Sequence, residues 1–403
     1  MVSVNEAKKL IHSQLYAPAT THVGLENSRG RFLSEDVFAD RDYPPFNRAA
    51  VDGYAVRHGD MESGLKTFHV AAEIFSGEGF DHDVEPGRCI KIMTGAAMPE
   101  GFDVLFKVEH CEVLDSVVAI PEEEAAPGLN ISRRGENARK GDVILGRGTR
   151  IDERTVHALA AVGLHSTPVF SLPEVHIIST GNEIIPVDQQ PAPFQIRDSN
   201  YYGLLFGLLK FNIKPASYQL LGDEREQIRA GISAGLSGDI LIISGGVSMG
   251  DRDFVPGVLA ECGVEKVFHK VDIKPGKPLW FGRRHDKKTG KTTFVFALPG
   301  NPFSTLVTYK VFIEPWLLAS FGGQEQKPVV MPLFKEKVFK EKRLEFFPVK
   351  VISKAGEGSF LDPVRFAGSG DITATAGSDG LAFYQGEKRE LYKGDLAEFI
   401  PWN

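Results

Sequence analysis

Ile240-Leu241-Ile242-Ile243-Ser244-Gly245-Gly246-Val247-Ser248-Met249-Gly250-Asp251 is an apolar run that breaks into a glycine-rich, polar loop. A short run this rich in β-branched residues reads as a strand buried on both faces, as in a parallel sheet. The arrangement occurs twice more. Val175–Ile178 leads into Ser179-Thr180-Gly181-Asn182-Glu183, and Phe294–Ala297 leads into Leu298-Pro299-Gly300-Asn301-Pro302. Open α/β sheets bind ligands beyond the carboxyl ends of their strands. Three loops of nearly bare backbone gathered there make an anion-binding floor, because exposed N–H groups and helix N-termini favour negative charge.

Outward from these loops the pattern alternates. A helix is expected near 199–211, a strand near 216–221, a helix near 223–235, a helix near 254–262 and a strand near 278–282. A turn at Asp286–Gly290 precedes the strand 293–298, and one helix covers 302–320. This is doubly wound α/β order. Upstream, Ser3-Val4-Asn5-Glu6 fits a capping box that opens a helix over 3–16, and residues 151–164 form a second helical stretch. Between them, residues 66–120 carry strand-forming runs at Thr67–Ile74, Cys89–Met93, Val104–Val108 and Val117–Ile120. Downstream of the linker Gly322-Gly323-Gln324-Glu325, residues 328–403 are β-rich, with runs at 330–334, 344–352, 381–384 and 396–400. The fold class expected is a multi-domain α/β plus β protein.

Composition narrows the class. The chain has 403 residues, 42% apolar and 25% charged, the make-up of an ordinary globular protein. A net charge of −7 argues against a general nucleic-acid binder. No apolar run reaches the roughly eighteen residues of a membrane span. Met1–Glu6 lacks the basic and apolar regions of a signal peptide, and Cys89, Cys111 and Cys262 are few and scattered. Reduced thiols and a cytoplasmic location are expected.

Several constellations carry chemistry. Gly246-Val247-Ser248-Met249-Gly250 matches the nucleophile elbow of serine hydrolases, but Ser244-Gly245 intervenes between strand and serine, and the loop stays polar through Asp251-Arg252-Asp253. His269 and His285 follow without a supporting motif. A phosphate or pterin cradle suits the loop better. Lys274-Pro275-Gly276-Lys277-Pro278 places two lysines in a segment stiffened by proline, read either as a solvated turn or as two cations facing an oxyanion. Pro302 suits a first helical turn, with Ser304 and the helix N-terminus as anion donors. Glu183, Asp223, Asp251 and Asp253 fall just after expected strands, where carboxylates beside an anion pocket call for a bridging Mg²⁺. Pro45–Ala55 sets Phe46, Val51 and Tyr54 around the lone acid Asp52, odd company for a loop. No P-loop, GxGxxG, HExxH or CxxC motif is present, which disfavours kinases, Rossmann dehydrogenases and zincins.

Taken in order, the motifs resemble one family, the molybdenum insertases (molybdopterin molybdotransferases), which include bacterial MoeA and the E domain of gephyrin. The stretches that carry the resemblance are Pro45–Ala55, Ile92–Ala96, Asn130–Gly135, Ser179–Glu183, Arg197–Asn200, Ser244–Asp253, Lys274–Pro278 and Leu298–Ser304, with a weaker match at Gly368–Ile372. The resemblance implies a helical dimerisation domain from 1–43 with 140–170, an inserted β-rich domain over 44–139, a molybdopterin-binding α/β domain over 171–322 and a C-terminal β-barrel over 328–403. It implies a homodimer whose site is shared between subunits, with transfer partners in molybdenum cofactor biosynthesis and no nucleic acid or membrane partner. It implies a reaction in which adenylylated molybdopterin and molybdate are the substrates, Mg²⁺ is the cofactor, and AMP is released. By position, Asp52, Glu183, Lys274 and Lys277 would be catalytic, with Glu183 and Asp253 on metal. Thr94, Gly181, Gly245, Gly246, Ser248, Asp223, Pro299, Gly300, Asn301, Pro302, Ser304, Arg343 and Ser369 would bind substrate.

The chain departs from the family pattern at a few positions. Ala49 and Val51 stand where serine and methionine are usual, and Asn137 and Asn182 stand where aspartates are usual. An amide keeps a carboxylate's shape and one acceptor oxygen but loses its charge. The alternative this raises is a non-catalytic molybdopterin-binding or scaffold relative with impaired anhydride cleavage.

Overall fold

The computed structural model describes residues 1–121, 125–248, 253–325 and 327–402. Met249, Gly250, Asp251 and Arg252, all part of the glycine-rich loop read above, lie outside the described residues. Contacts divide the chain into two compact units. The first comprises Met1–Ser34, Gly148–Asp152 and Pro168–Asn403; the second comprises Glu35–Arg147 and Glu153–Thr167.

In the first unit, six strands among the described residues form one sheet: β1 (Val175–Thr180), β2 (Ser217–Leu221), β3 (Ile240–Ser244), β4 (Glu265–His269), β5 (Trp280–His285) and β6 (Thr292–Leu298). Their order is β2-β1-β3-β6-β5-β4. The pairs β2–β1, β1–β3 and β3–β6 are parallel, as the three apolar runs foretell. β5 is antiparallel to both its neighbours, β6 and β4, so the sheet is mixed. The cause of the reversal is the tight turn after β5, closed by Asp286 N–H to Lys291 C=O and by Asp286 Oδ1, which accepts from Lys288 N–H. A turn this short can only return the chain as a hairpin.

Helices flank the sheet: α1 (Val4–His12), α2 (Asn200–Leu209), α3 (Arg225–Gly235), α4 (Val255–Glu261), α5 (Pro302–Thr308) and α6 (Glu314–Ser320). The Ser3 hydroxyl accepts from Glu6 N–H, as a capping box requires. Val4, Ala7 and Ile11 of α1 share a core with Phe296 and Trp316, and Trp316 Nε1 donates to the Gln14 carbonyl. The single helix expected over 302–320 is interrupted by a π-helical turn, Tyr309–Ile313. Pro315 lacks the N–H that would close an ordinary turn four residues back, and the backbone widens there.

Also within the first unit, five antiparallel strands form a sheet in the order Val329–Pro332, Leu396–Pro401, Gly380–Phe383, Phe347–Lys354, Gly358–Pro363. A bridge between Leu333 and Leu361 brings its two edges together, so the sheet curls around Leu333, Phe347, Val349, Leu361 and Phe399.

The second unit is built on another sheet, with Gly53–Val56 between Val104–Lys107 and Arg88–Ile92, followed by Thr67–Ile74, Val117–Ala119 and Glu112–Leu114. Alternation sorts the strand Gly53–Val56. Tyr54 and Val56 pack with Phe68, Cys89 and Phe106 on one face, and Ala55 packs with Ile90, Ile92 and Leu105 on the other. Burial pushes the Cys89 thiol up to about 12, so it stays protonated. The second helical stretch, Thr155–Ala161, belongs to this unit. Among the described residues no helix is long and apolar enough to cross a membrane.

Candidate functional site

Parallel pairing aligns the three strand ends. Ser179 of β1 is level with Ser244 of β3, and Ser244 is level with Leu298 of β6. Gly181, Gly245 and Gly300 therefore leave the sheet along one edge. Gly245 N–H donates to the Leu298 carbonyl at 3.1 Å. Gly245 has φ +98°, and a Cβ there would lie 2.4 Å from the Thr180 carbonyl oxygen and 2.8 Å from Thr180 Oγ1. Only glycine fits that conformation and that space. The Cα of Gly245 sits 3.5 Å from where a Gly300 side chain would begin, so two of the loops approach backbone to backbone.

Asn200, buried at the start of α2, clamps them. Its Nδ2 donates to Ser244 Oγ at 2.8 Å and to the Gly300 carbonyl at 2.7 Å. The neighbouring Asp198, also buried, accepts from Tyr201 N–H and from the Tyr218 hydroxyl. Burial is the first cause holding the Tyr218 hydroxyl far above the usual phenol range, and its bond to Asp198 is the second. Asp198 and Asn200 belong to the Arg197–Asn200 stretch, whose individual roles were not separable in sequence. An acid-serine-amide triplet before an apolar helix was the available signal.

The Pro299-Gly300-Asn301-Pro302 loop is pinned by Thr305 Oγ1, which donates to the Pro299 carbonyl at 2.6 Å. Ser369, distant in sequence, joins it. Asn301 Nδ2 donates to Ser369 Oγ at 2.8 Å, and Phe303 N–H donates to the Ser369 carbonyl at 3.0 Å. Ser304 is buried in the first turn of α5. The lysine segment rests on the same helix, because a Cβ on Gly276 would lie 2.7 Å from Thr308 Cγ2.

The two lysines differ. Lys274 Nζ lies 3.3 Å from Glu345 Oε2 and 3.6 Å from Glu341 Oε1. Lys277 makes no ion pair among the described residues. Arg343 pairs with Glu341 at 3.0 Å and with Asp272 at 3.4 Å. The pairs of Lys274 with Glu341 and Glu345, and of Arg343 with Asp272, escape sequence reasoning because they join distant segments; only Glu341 is close in sequence to Arg343.

The acids after the strands also separate. Asn182 and Asp223 clasp the ends of β1 and β2: Asn182 N–H donates to Asp223 Oδ2, and Asp223 N–H donates to Asn182 Oδ1. The amide at 182 thus serves an acceptor role that needs no charge. Glu183 is exposed, with no ion pair or side-chain hydrogen bond among the described residues. Asp253 immediately precedes the turn that opens α4. Among the described residues no three metal-ligating side chains cluster.

Ser248 is exposed and not hydrogen-bonded to a histidine. His269 Nε2–H donates to the Val247 carbonyl, and burial lowers that imidazole's pKa, so it is a neutral donor there. His285 meets Thr292 on the hairpin. A hydrolase serine needs a base within hydrogen-bond reach, and neither histidine serves.

In the second unit Asp52 ends the loop before the strand Gly53–Val56. Its Oδ1 accepts from Thr94 N–H at 2.7 Å and Thr94 Oγ1 at 2.6 Å. These bonds, the hydroxyl first, hold the carboxyl below its usual range. Asp52 is therefore a fixed, ionised, exposed carboxylate. The Pro45–Ala55 stretch looked odd for a loop because its last three residues, 53–55, are part of a buried strand.

Comparison with known proteins covers most of the chain. Residues 2–163 match "MoeA N-terminal region (domain I and II)", residues 176–319 match "Probable molybdopterin binding domain" and residues 334–402 match "MoeA C-terminal region (domain IV)". A Synechocystis protein named molybdopterin molybdenumtransferase is 30% identical over 405 residues, spanning all of both chains. One of the same name from Haemophilus influenzae is 32% identical over 410 residues, spanning all of this chain and 99% of the other. The crystal structure of a molybdopterin biosynthesis MoeA protein from Pyrococcus horikoshii aligns along the whole of both chains with TM-score 0.85 and 27% identity.

Proposed function

Because this chain belongs to the MoeA family, we propose that it is a molybdopterin molybdenumtransferase, a transferase of molybdenum cofactor biosynthesis that inserts molybdate into adenylylated molybdopterin and releases AMP. The observation that carries this is the Gly245 loop, aligned with the loops after β1 and β6 and clamped by Asn200. A preorganised row of backbone at the sheet's carboxyl edge suits a pyrophosphate, whose charge is spread over many oxygens. Lys274, Lys277 and Arg343 supply cations for a doubly charged oxyanion; Ser369 is hydrogen-bonded to the loop after β6, and Ser304 lies in the first turn of α5.

The exposed Glu183 carboxylate fits a hard divalent cation that keeps waters and shares the substrate's phosphates, with Asp253 as a second ligand. Mg²⁺ bound there would neutralise charge developing on the anhydride. Thr94, Ser248, Asp223 and Gly181 complete the substrate contacts in this reading. Asp52 acts as base or water-holder, contributed by the second subunit of a homodimer. Two exposed aromatic side chains in the first unit are available to such a dimer: Phe194 is 92% and Phe206 68% exposed. We carry the four-part division, including the C-terminal barrel, as part of this proposal; the curled sheet that joins its edges at Leu333 and Leu361 supports it.

The test is AMP release from adenylylated molybdopterin by the purified protein. Release that requires both molybdate and Mg²⁺ is expected. Tight nucleotide binding without release would instead favour the non-catalytic relative, the reading that Asn137 and Asn182 motivate.

A further inference from the structure

We propose that Glu341 is an intramolecular competitor for the oxyanion, a carboxylate that occupies the two cations until the substrate displaces it. This rests on the reading of Lys274 and Arg343 as oxyanion ligands. One oxygen of Glu341 lies 3.6 Å from Lys274 Nζ and the other 3.0 Å from Arg343 Nη1. A single anionic group thus bridges the two cations, as a tetrahedral dianion would.

The surroundings separate Glu341 from its neighbours. Glu345 also touches Lys274, but its side chain is only 5% exposed and its other oxygen is held at 2.6 Å by Lys337. Lys337 is itself fixed over the Phe347 ring. Glu345 is an anchor. Glu341 is 44% exposed, and among the described residues it pairs with these two cations alone. It lines a cavity of about 680 Å³ together with Arg343, Glu345, Lys342 and Lys388, which gives an oxyanion room to approach.

The charges balance while Glu341 is seated. Lys274, Lys337 and Arg343 face Glu341, Glu345 and Asp272. When Glu341 swings into solvent the cluster gains one positive charge. Lys274 stays aimed by Glu345, and Arg343 stays aimed by Asp272. The exchange therefore reorganises one half-exposed side chain and leaves the cations in place. A half-exposed ion pair is cheap to break, so the competitor sets affinity without blocking binding.

The experiment is equilibrium dialysis of the full chain against molybdate at low ionic strength, with Glu341→Gln and Glu387→Gln beside the unmodified protein. Glu387 lines the same cavity and makes no ion pair among the described residues. Glu341→Gln is expected to bind molybdate about twofold to fivefold more tightly, an advantage that fades as salt screens the site. Glu387→Gln is expected to match the unmodified protein. Equal affinity of Glu341→Gln and the unmodified protein would overturn the competitor while leaving the oxyanion site standing. An equal gain in Glu387→Gln would overturn it too, by showing a general field effect. Absence of molybdate binding in all three would remove the oxyanion site and the competitor with it.

Discussion

Asp52→Asn is expected to lower molybdate-dependent AMP release by about 100-fold to 10,000-fold, the range a positioned acid or base commands. The melting temperature should fall only slightly, because the carboxylate is exposed and the amide keeps the acceptor. The substitution is chosen for that split. An asparagine carbonyl can still accept from Thr94 N–H and Oγ1, so the turn after Ile92 keeps its cap. What is lost is the charge, and with it the second oxygen as a base or water ligand. The pH profile adds a sign. Thr94's hydroxyl and N–H favour the ionised form, so the folded pKa lies below the ordinary 3.8. The carboxylate's contribution is present above the unfolded value and is lost only as pH falls through the depressed one. Turnover of the unmodified protein should show no acid limb from this group near neutrality. If Asp52 acts across a dimer, mixing Asp52→Asn with Glu183→Ala should restore part of the activity through heterodimers. Turnover by Asp52→Asn equal to that of the unmodified protein would remove the residue from the chemistry.

Gly245→Ala is expected to cost roughly 2–4 kcal/mol of stability, because two penalties add. The backbone at φ +98° is strained for any residue with a Cβ, and that Cβ would overlap the Thr180 carbonyl at 2.4 Å. Backbone cannot rotate away as a side chain can, so the loop must lift from the edge of the sheet. The KM for adenylylated molybdopterin should rise with it. Gly59→Ala is the control. Gly59 sits in the helix His58–Glu62 with nothing within 4 Å of an added Cβ, and alanine there should be neutral or mildly stabilising. Urea titration of the two variants measures the contrast. Equal midpoints would mean that the Gly245 loop is free to relax and is not the rigid cradle described.

How much of this was legible in the sequence depended on the reach of each signal. The runs 175–178, 240–243 and 294–297 were readable because each is short, almost wholly apolar and rich in large aliphatic or aromatic residues, and is followed closely by glycine at 181, 245 or 300. The strand Glu265–His269 was not, because its first two residues, Glu265 and Lys266, are exposed at the sheet's edge and carry no apolar pattern. The strand Gly358–Pro363 was missed for a similar reason: its first two residues, Gly358 and Ser359, are exposed. The break in the helix over 302–320 was marked by Pro315, but a proline near a helix end is also compatible with a simple kink. At the site, the glycine loops and the two lysines could be named from spacing. The bridge of Glu341 between Lys274 and Arg343 could not, since it joins segments about 70 residues apart. Nor could the Asn200 clamp be assigned, because it depends on α2 starting beside the ends of β3 and β6.

The central claim is that amides at adjacent strand ends hold the nucleotide's phosphates while Lys274, Lys277 and Arg343 receive the oxyanion. Diffraction at the molybdenum edge, from crystals of the full chain grown with molybdate and adenylylated molybdopterin, tests it most directly. The account predicts an anomalous peak in contact with those three cations, Glu341 displaced, and phosphate density over Gly245, Gly246 and Gly300. A molybdenum peak away from Lys274 and Arg343, with the glycine loops bare and the nucleotide bound elsewhere, would contradict it.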